Sequence, residues 1–201
     1  GARIGIPRAF FYEKMTAPGE KEPDGGLNDE QAKLMGEAIA VLKREGAILV
    51  DPADLPSIVA KDAKNNLLLW GPCGGLDNAK GKDADCSIVL KYGMKRDFNK
   101  WLESLGPAAP VKTLTELRTW NVAHQKGGAI KYGQAQLDIS DEMEVGHDKV
   151  RYEADLDKNL QLTAIQGIDA VMKGDKLDAL LFPGSSGSWV AAMPGYPSVI
   201  V

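Results

Sequence analysis

The stretch NDEQAKLMGEAIAVLKREGAILVDP, residues 28–52, decides the fold. Asn28 or Asp29 is placed to cap a helix, because a short polar side chain can accept from the free amides of a first turn. Leu34, Ala38, Ile39, Val41 and Leu42 then give a helix-like apolar face up to about Glu45. Gly46 is a natural stop, since glycine enters the left-handed conformation without penalty. Ala47 to Val50 is a short apolar run that Asp51-Pro52 closes, which predicts a buried strand ending in a turn. Upstream, Ile4 and Ile6 alternate with Arg3 and Gly5 as an earlier strand. Strand, helix and strand at this spacing make a unit of the size a parallel crossover requires.

Working outward, Thr16 to Gly26 carries two prolines and three glycines and predicts a flexible surface loop over 16–26. Residues 67–86 open on Leu67-Leu68-Leu69-Trp70 and turn glycine-rich, an irregular excursion. Ser87 to Tyr92 reads as a strand. Met94 to Leu105 reads as a helix with Phe98, Trp101, Leu102 and Leu105 on one face, ended by Pro107 and Pro110. Thr115 is placed to cap a helix reaching about His124. Residues 141–173 read as one long helix with wobbles near Gly146 and Gly167. Leu177 to Pro183 is a strand, Gly184 to Gly195 a loop, and Pro197 to Val201 a last strand. Alternating elements of this kind predict an α/β fold, a mixed sheet covered by helices, with 1–201 as a single segment.

The chain has 201 residues, of which 44% are hydrophobic and 26% charged, values that argue against disorder and collagen-like repeats. A net charge of -4 argues against a broad nucleic-acid footprint. No uninterrupted apolar run approaches the roughly 20 residues of a membrane helix. Two cysteines without a CxxC, and two histidines far apart, argue against structural zinc. A disulfide between Cys73 and Cys86 is open, but two free thiols are the default for a cytosolic protein, and the cytoplasm is no more than a guess for the compartment. No targeting segment is visible at the start. Both ends read as core strands, which leads to the expectation of a piece excised from a longer protein.

Six segments, in order, resemble the amidase signature family. RIGIPR (Arg3 to Arg8) is similar to that family's RIGVPR strand, and KRDFNKWLESLG (Lys95 to Gly106) to its KxDLNAYL helix. VKTLTELRTWNVAH (Val111 to His124) and KYGQAQLDIS (Lys131 to Ser140) resemble the two steps that follow. LDALLFP (Leu177 to Pro183) with GYPSVIV (Gly195 to Val201) resembles its LDALVxP…AGYPxIxVP. The resemblance implies an α/β/α architecture and hydrolysis of a carboxylic amide without metal or organic cofactor. A Lys would activate a cis-peptide Ser, which takes the proton of a nucleophilic Ser, and backbone amides would hold the oxyanion. In that family the Lys and the Gly-Ser-rich core precede the RIGVPR strand. The resemblance therefore assigns no catalytic residue to this chain. It implies a small-molecule amide substrate, an N-terminal catalytic portion outside the chain, and an isolated chain that is inactive. The edge or face left uncovered without that portion leads to the expectation that the chain dimerises or aggregates more readily than its parent.

Gly184-Ser185-Ser186-Gly187-Ser188 has the look of a nucleophile or phosphate loop. No Lys-Ser/Thr follows it, and the spacing is not that of a G-x-S-x-G elbow. A pocket-lining loop is the better reading, with Ser185, Ser186 and Trp189 as substrate-binding candidates. His124, at a helix C-terminus, suits the helix dipole. His147 and the acids Glu142, Glu144 and Asp148 read as a solvated helix face rather than a metal cluster. Two rivals stand beside the amidase reading: a binding or scaffold domain derived from an amidase that has lost catalysis, and a serine hydrolase using Ser186.

Overall fold

A computed structural model describes residues 1–75 and 85–200. In chain order the elements are β1 (Arg3–Gly5), β2 (Lys14–Met15), β3 (Asp24–Gly25), α1 (Asp29–Arg44), β4 (Ile48–Val50), α2 (Val89–Ser104), α3 (Leu114–Ala123), α4 (Ala135–Asp141), α5 (Lys149–Leu160), a π-helical stretch Gln161–Ile168, α6 (Asp169–Gly174), β5 (Ala179–Leu180) and α7 (Ser188–Ala192). Two compact units emerge, one of Gly1–Leu69 with Lys158–Val201 and one of Trp70–Asp157, where the sequence reading treats 1–201 as one segment.

The first unit is built on a three-stranded sheet of order β4-β1-β5. Both pairings are parallel, with Ile4 opposite Leu49 on one side and Ala179 on the other. The crossover between β1 and β4 is the one that residues 28–52 predict. Asn28 accepts from the Gln31 amide at 2.8 Å, and the Gln31 side chain accepts from the Asn28 amide at 3.1 Å, a reciprocal capping box. Gly46 follows the C-cap at φ +92°. A Cβ added to Gly5 would lie 2.5 Å from Leu177 and 2.9 Å from Ala53, so a side chain there would displace the residues that cover the sheet. Ile6, Leu55, Ile58, Leu67, Leu162 and Val190 are buried in this unit. The apolar face of α1 is not: none of its residues is buried, and Leu34 is 65% exposed.

A second, antiparallel pair joins β2 and β3, with Lys14 opposite Gly25 and Met15 opposite Asp24. Residues 16–26 are therefore the connection and second arm of a hairpin. The α/β class is borne out, with the parallel and antiparallel pairings in separate small sheets.

Several elements differ from the sequence reading. Residues 87–92 are not a strand, because a helix starts at Val89. Ile88 and Val89 favour a strand locally, but Ile88 and Tyr92 are one helical turn apart and both bury beside Cys73 and Met143. The Asp155 carboxylate accepts from the Ile88 amide at 2.9 Å and Ser87 Oγ from the Val89 amide at 3.3 Å, so early amides are satisfied. Thr113, not Thr115, caps α3. The helix expected over 141–173 breaks after Asp141, where Asp148 takes the Glu144 amide at 2.7 Å and removes it from a helical ladder. The wobble expected at Gly167 is a kink, at φ -109° and ψ -110°. No strand forms over 196–200, where no other strand pairs with it among the described residues.

Cys73 and Cys86 form a disulfide, with Cα atoms 5.1 Å apart, rather than two free thiols. The Cys73 amide donates to the Ser87 carbonyl and the Ser87 amide to that of Gly71, both at 2.8 Å, which brings the two segments within bridging reach. Of the irregular excursion at 67–86, residues 76–84 lie outside the described residues. Leu67–Leu69 forms a single 3-10 turn.

The second unit ties α2, α3 and α4 together through Asp141, whose side chain is only 5% exposed. Thr115 Oγ1 donates to it at 2.7 Å, and Lys95 pairs with it at 3.2 Å. Arg118 bridges Asp138, at 2.6 Å, and Asp141. Burial alone would raise the Asp141 pKa, but hydrogen bonds from Thr115, Arg118 and Lys95 hold it below the ordinary carboxylate value. A depressed folded-state pKa contributes stability that is present above the unfolded value of about 3.9 and is lost as pH falls through the folded value. Asp141→Asn is expected to cost about 1–3 kcal/mol at pH 7. Solvent at Arg118, 32% exposed, limits the loss. Urea unfolding at pH 7 and below pH 4 checks both points: the gap between wild type and variant should narrow in acid.

Candidate functional site

Beyond β5 the chain leaves the sheet through Leu181-Phe182-Pro183 and turns back on itself. The Ser186 amide donates to the Pro183 carbonyl, and the Ser188 amide to that of Ser185, both at 3.1 Å. Gly187 is held beneath the Phe182 ring, where a Cβ would lie 2.2 Å from the nearest ring carbon. The loop then enters α7, which buries Val190 and Ala191.

The facing wall comes from the segment after β1. Arg8 grips Asp51 through two hydrogen bonds of 2.7 and 2.6 Å, and the Ala9 amide donates to Asp54 at 2.7 Å. The Arg8 hydrogen bonds draw the Asp51 pKa below its ordinary value. Tyr12 donates its hydroxyl to the Leu181 carbonyl at 3.0 Å, and burial pushes its pKa up to about 12, so it stays a neutral donor. Phe11 meets Phe182 edge to face at 4.7 Å between centroids. These ties hold Phe10, half-buried, at φ +70°, a left-handed conformation that a bulky side chain rarely takes. Gly25 makes room for it: a Cβ there would lie 2.3 Å from the Phe10 carbonyl oxygen. The Gly26 amide donates to that same oxygen at 2.7 Å.

Between the walls lies a pocket of about 640 Å³. Ser185 and Ser186 line it, together with Phe10, Phe11, Gly25, Gly26, Leu27, Gln31, Leu34, Met35, Pro183 and Gly184. No Asp, Glu, Lys, Arg or His stands among these residues. Ser186 Oγ is buried and has no hydrogen-bond partner among the described residues. Trp189 sits on α7 and is not part of the lining. The serine loop is thus brought to a concave surface whose lining, among the described residues, holds no side chain suited to general-base work.

The sequence places Leu34 on an apolar helix face but does not point to a pocket there, and it does not single out Phe10 or Met35. The paired Gly25-Gly26 was the available signal, because adjacent glycines often mark a close backbone approach. The histidines stand elsewhere. His124 stacks on Trp120 at 4.0 Å between centroids, and its Nδ1 lies 2.8 Å from the Trp120 carbonyl oxygen. His147 lies in the turn between α4 and α5 rather than on a helix, and its side chain is 75% exposed beside Asp148. Among the described residues no cluster of three His, Cys, Asp or Glu could hold a metal ion. No helix there is long and apolar enough to cross a membrane.

No family model matches the chain. A probable amidase of Arabidopsis thaliana is 26% identical over 196 residues, covering 98% of this chain and 34% of that protein. The chain is similar to amidases along nearly its whole length. A peptide amidase solved with the competitive inhibitor chymostatin superposes on 97% of it, with a TM-score of 0.64 and 24% identity, over 35% of that enzyme. Native peptide amidase from Stenotrophomonas maltophilia gives 0.62 at 22% identity. An amidase family protein from Bacillus anthracis gives 0.62 at 17% identity over 30% of its chain. The chain spans about a third of the length of the relatives it matches. The resemblance read from its six motifs is borne out.

Ser186→Ala tests the orphan hydroxyl. Removing a buried group without a partner relieves a desolvation cost, so thermal unfolding should show unchanged stability or a gain of about 1 kcal/mol. Gly187→Ala should lose about 1–3 kcal/mol in the same assay, because the Phe182 ring must move.

Proposed function

We propose that this chain is a segment of an amide hydrolase, supplying scaffold and part of the substrate pocket, while catalysis comes from residues outside it. The similarity to a probable amidase along 98% of the chain carries the reading. The peptide amidase likeness over 97% of the chain supports it through the fold. The chemistry is acyl transfer to a serine activated by a cis-peptide Ser and a Lys, followed by hydrolysis of the acyl-enzyme. Backbone amides hold the oxyanion. Ser185 and Ser186 meet the substrate from the pocket wall, and Trp189 supports their loop from α7. In this reading neither serine is the nucleophile, and the absence of a base among the described lining residues supports it.

The test treats the 201-residue chain with a fluorophosphonate probe, reads its intact mass, and assays ammonia release from small amides. The expected result is no adduct and no ammonia, with both appearing in a longer polypeptide that carries the Ser-Ser-Lys core. An adduct on Ser185 or Ser186 with turnover would make the chain a serine hydrolase in its own right. A longer polypeptide that lacks the core and binds amides without turnover would make it a binding domain.

A further inference from the structure

The second unit carries a cavity of its own, of about 610 Å³, a size that suits a small ligand. One face of α2 lines it with Arg96, Asn99, Lys100 and Glu103, and the segment entering α3 adds Lys112 and Thr113. Three cations thus stand against one carboxylate, in a chain whose net charge is -4. The hydrogen bonds make the lining one of donors. Asn99 Oδ1 accepts from the Leu114 amide at 2.8 Å, so what Asn99 has left to offer the cavity is the pair of N–H groups on Nδ2. Thr113 Oγ1 accepts from the Glu116 amide at 3.1 Å, which leaves its hydroxyl proton to give. Lys112 Nζ is held by the Gly106 carbonyl at 2.7 Å and keeps two further N–H groups. Arg96 is pinned to Asp97 at 2.7 and 2.9 Å and lies over the Tyr152 ring, so Asp97 answers Arg96, while Lys100 stands exposed.

We propose that this cavity is an anion site that takes a small dianion, a phosphate monoester or a dicarboxylate. The proposal goes beyond the amide hydrolase reading and does not depend on it. Lys100 and Lys112 supply the charge. Asn99 and Thr113 supply directional donors that seat the ligand's oxygens, and Asn99 is itself fixed by the cap it gives to α3. Bonds from such donors to an ionised oxygen are roughly twice as strong as those to a neutral one. A neutral ligand meets the same donors without the Coulomb gain, and a cation meets like charge. Glu103 works against the site, because its carboxylate repels the ligand it faces.

The experiment titrates the isotopically labelled 201-residue chain with glycerol 3-phosphate and with succinate at fixed ionic strength, reading the amide signals of Lys100 and Thr113. Glycerol, succinamide and sodium chloride are the controls. The expected result is a saturable shift of these signals by a dianion and none by the controls. Saturation by glycerol 3-phosphate alone assigns the site to phosphate esters, and by succinate alone to dicarboxylates. Asn99→Asp keeps an oxygen for the Leu114 amide, so thermal unfolding should stay close to wild type, but it replaces the N–H pair with a second carboxylate oxygen. Binding should then fall by about 10-fold or more. Lys100→Gln should weaken binding by about 3- to 10-fold. Glu103→Gln should strengthen it by about 2- to 5-fold. Both of these positions are exposed on α2, and they decide the matter if Asn99→Asp does not fold. Failure of both dianions to saturate overturns the proposal, as do equal shifts with sodium chloride or a folded set of variants that binds like wild type.

Discussion

The absence of a side chain at Gly5 governs the first unit. It lets β1 run under Leu177, Ala53 and Leu180 and accept a parallel neighbour on each side. The Leu181 amide then reaches the Gly5 carbonyl at 2.9 Å, and the Ile6 amide reaches that of Val50 at 2.9 Å. The first bond fixes where the Phe182–Ser186 loop departs. The second sets β4 in register, so that Arg8 meets Asp51 just past the strand ends. Both walls of the pocket are delivered by one strand, three residues long.

The second unit is held differently. Where the first relies on a buried sheet, this one gathers three helices around a carboxylate. Asp141 receives Thr115, Lys95 and Arg118 from two separate helices, and each donor replaces water that the carboxylate gave up on burial. Beside it, the disulfide, Ile88, Tyr92 and Met143 form a small apolar cluster, with Tyr152 stacked on Tyr92 at 4.4 Å between centroids. Directional bonds and a covalent link thus supplement a modest core.

Legibility followed the range of the interactions. The Asn28 cap, the Gly46 stop and the β1–α1–β4 crossover were readable because each depends on neighbours in sequence or on a simple apolar period. Residues 87–92 were misread because Ile88 and Tyr92 owe their helical state to Cys73 and Met143, far away along the chain. The break after Asp141 turned on one side chain, Asp148, bonding backward to a main-chain amide. At the site, Ser185 and Ser186 could be singled out from their motif. Phe10, Leu34 and Met35 could not, since a hydrophobic residue in sequence gives no hint whether it fills a core or lines a cavity.

The pairing of Ile4 with Ala179 carries a consequence for how the molecule comes into being. The second unit is continuous in sequence, so its contacts can form while the chain is still being made. The sheet of the first unit cannot close until β5 has left the ribosome, and its closure must join strands far apart in sequence. Until then β1 and β4 wait as an incomplete sheet with an open edge, the kind of surface on which chains stick to one another. Synthesis order therefore places the greatest exposure to aggregation on the strand that the finished fold buries most completely.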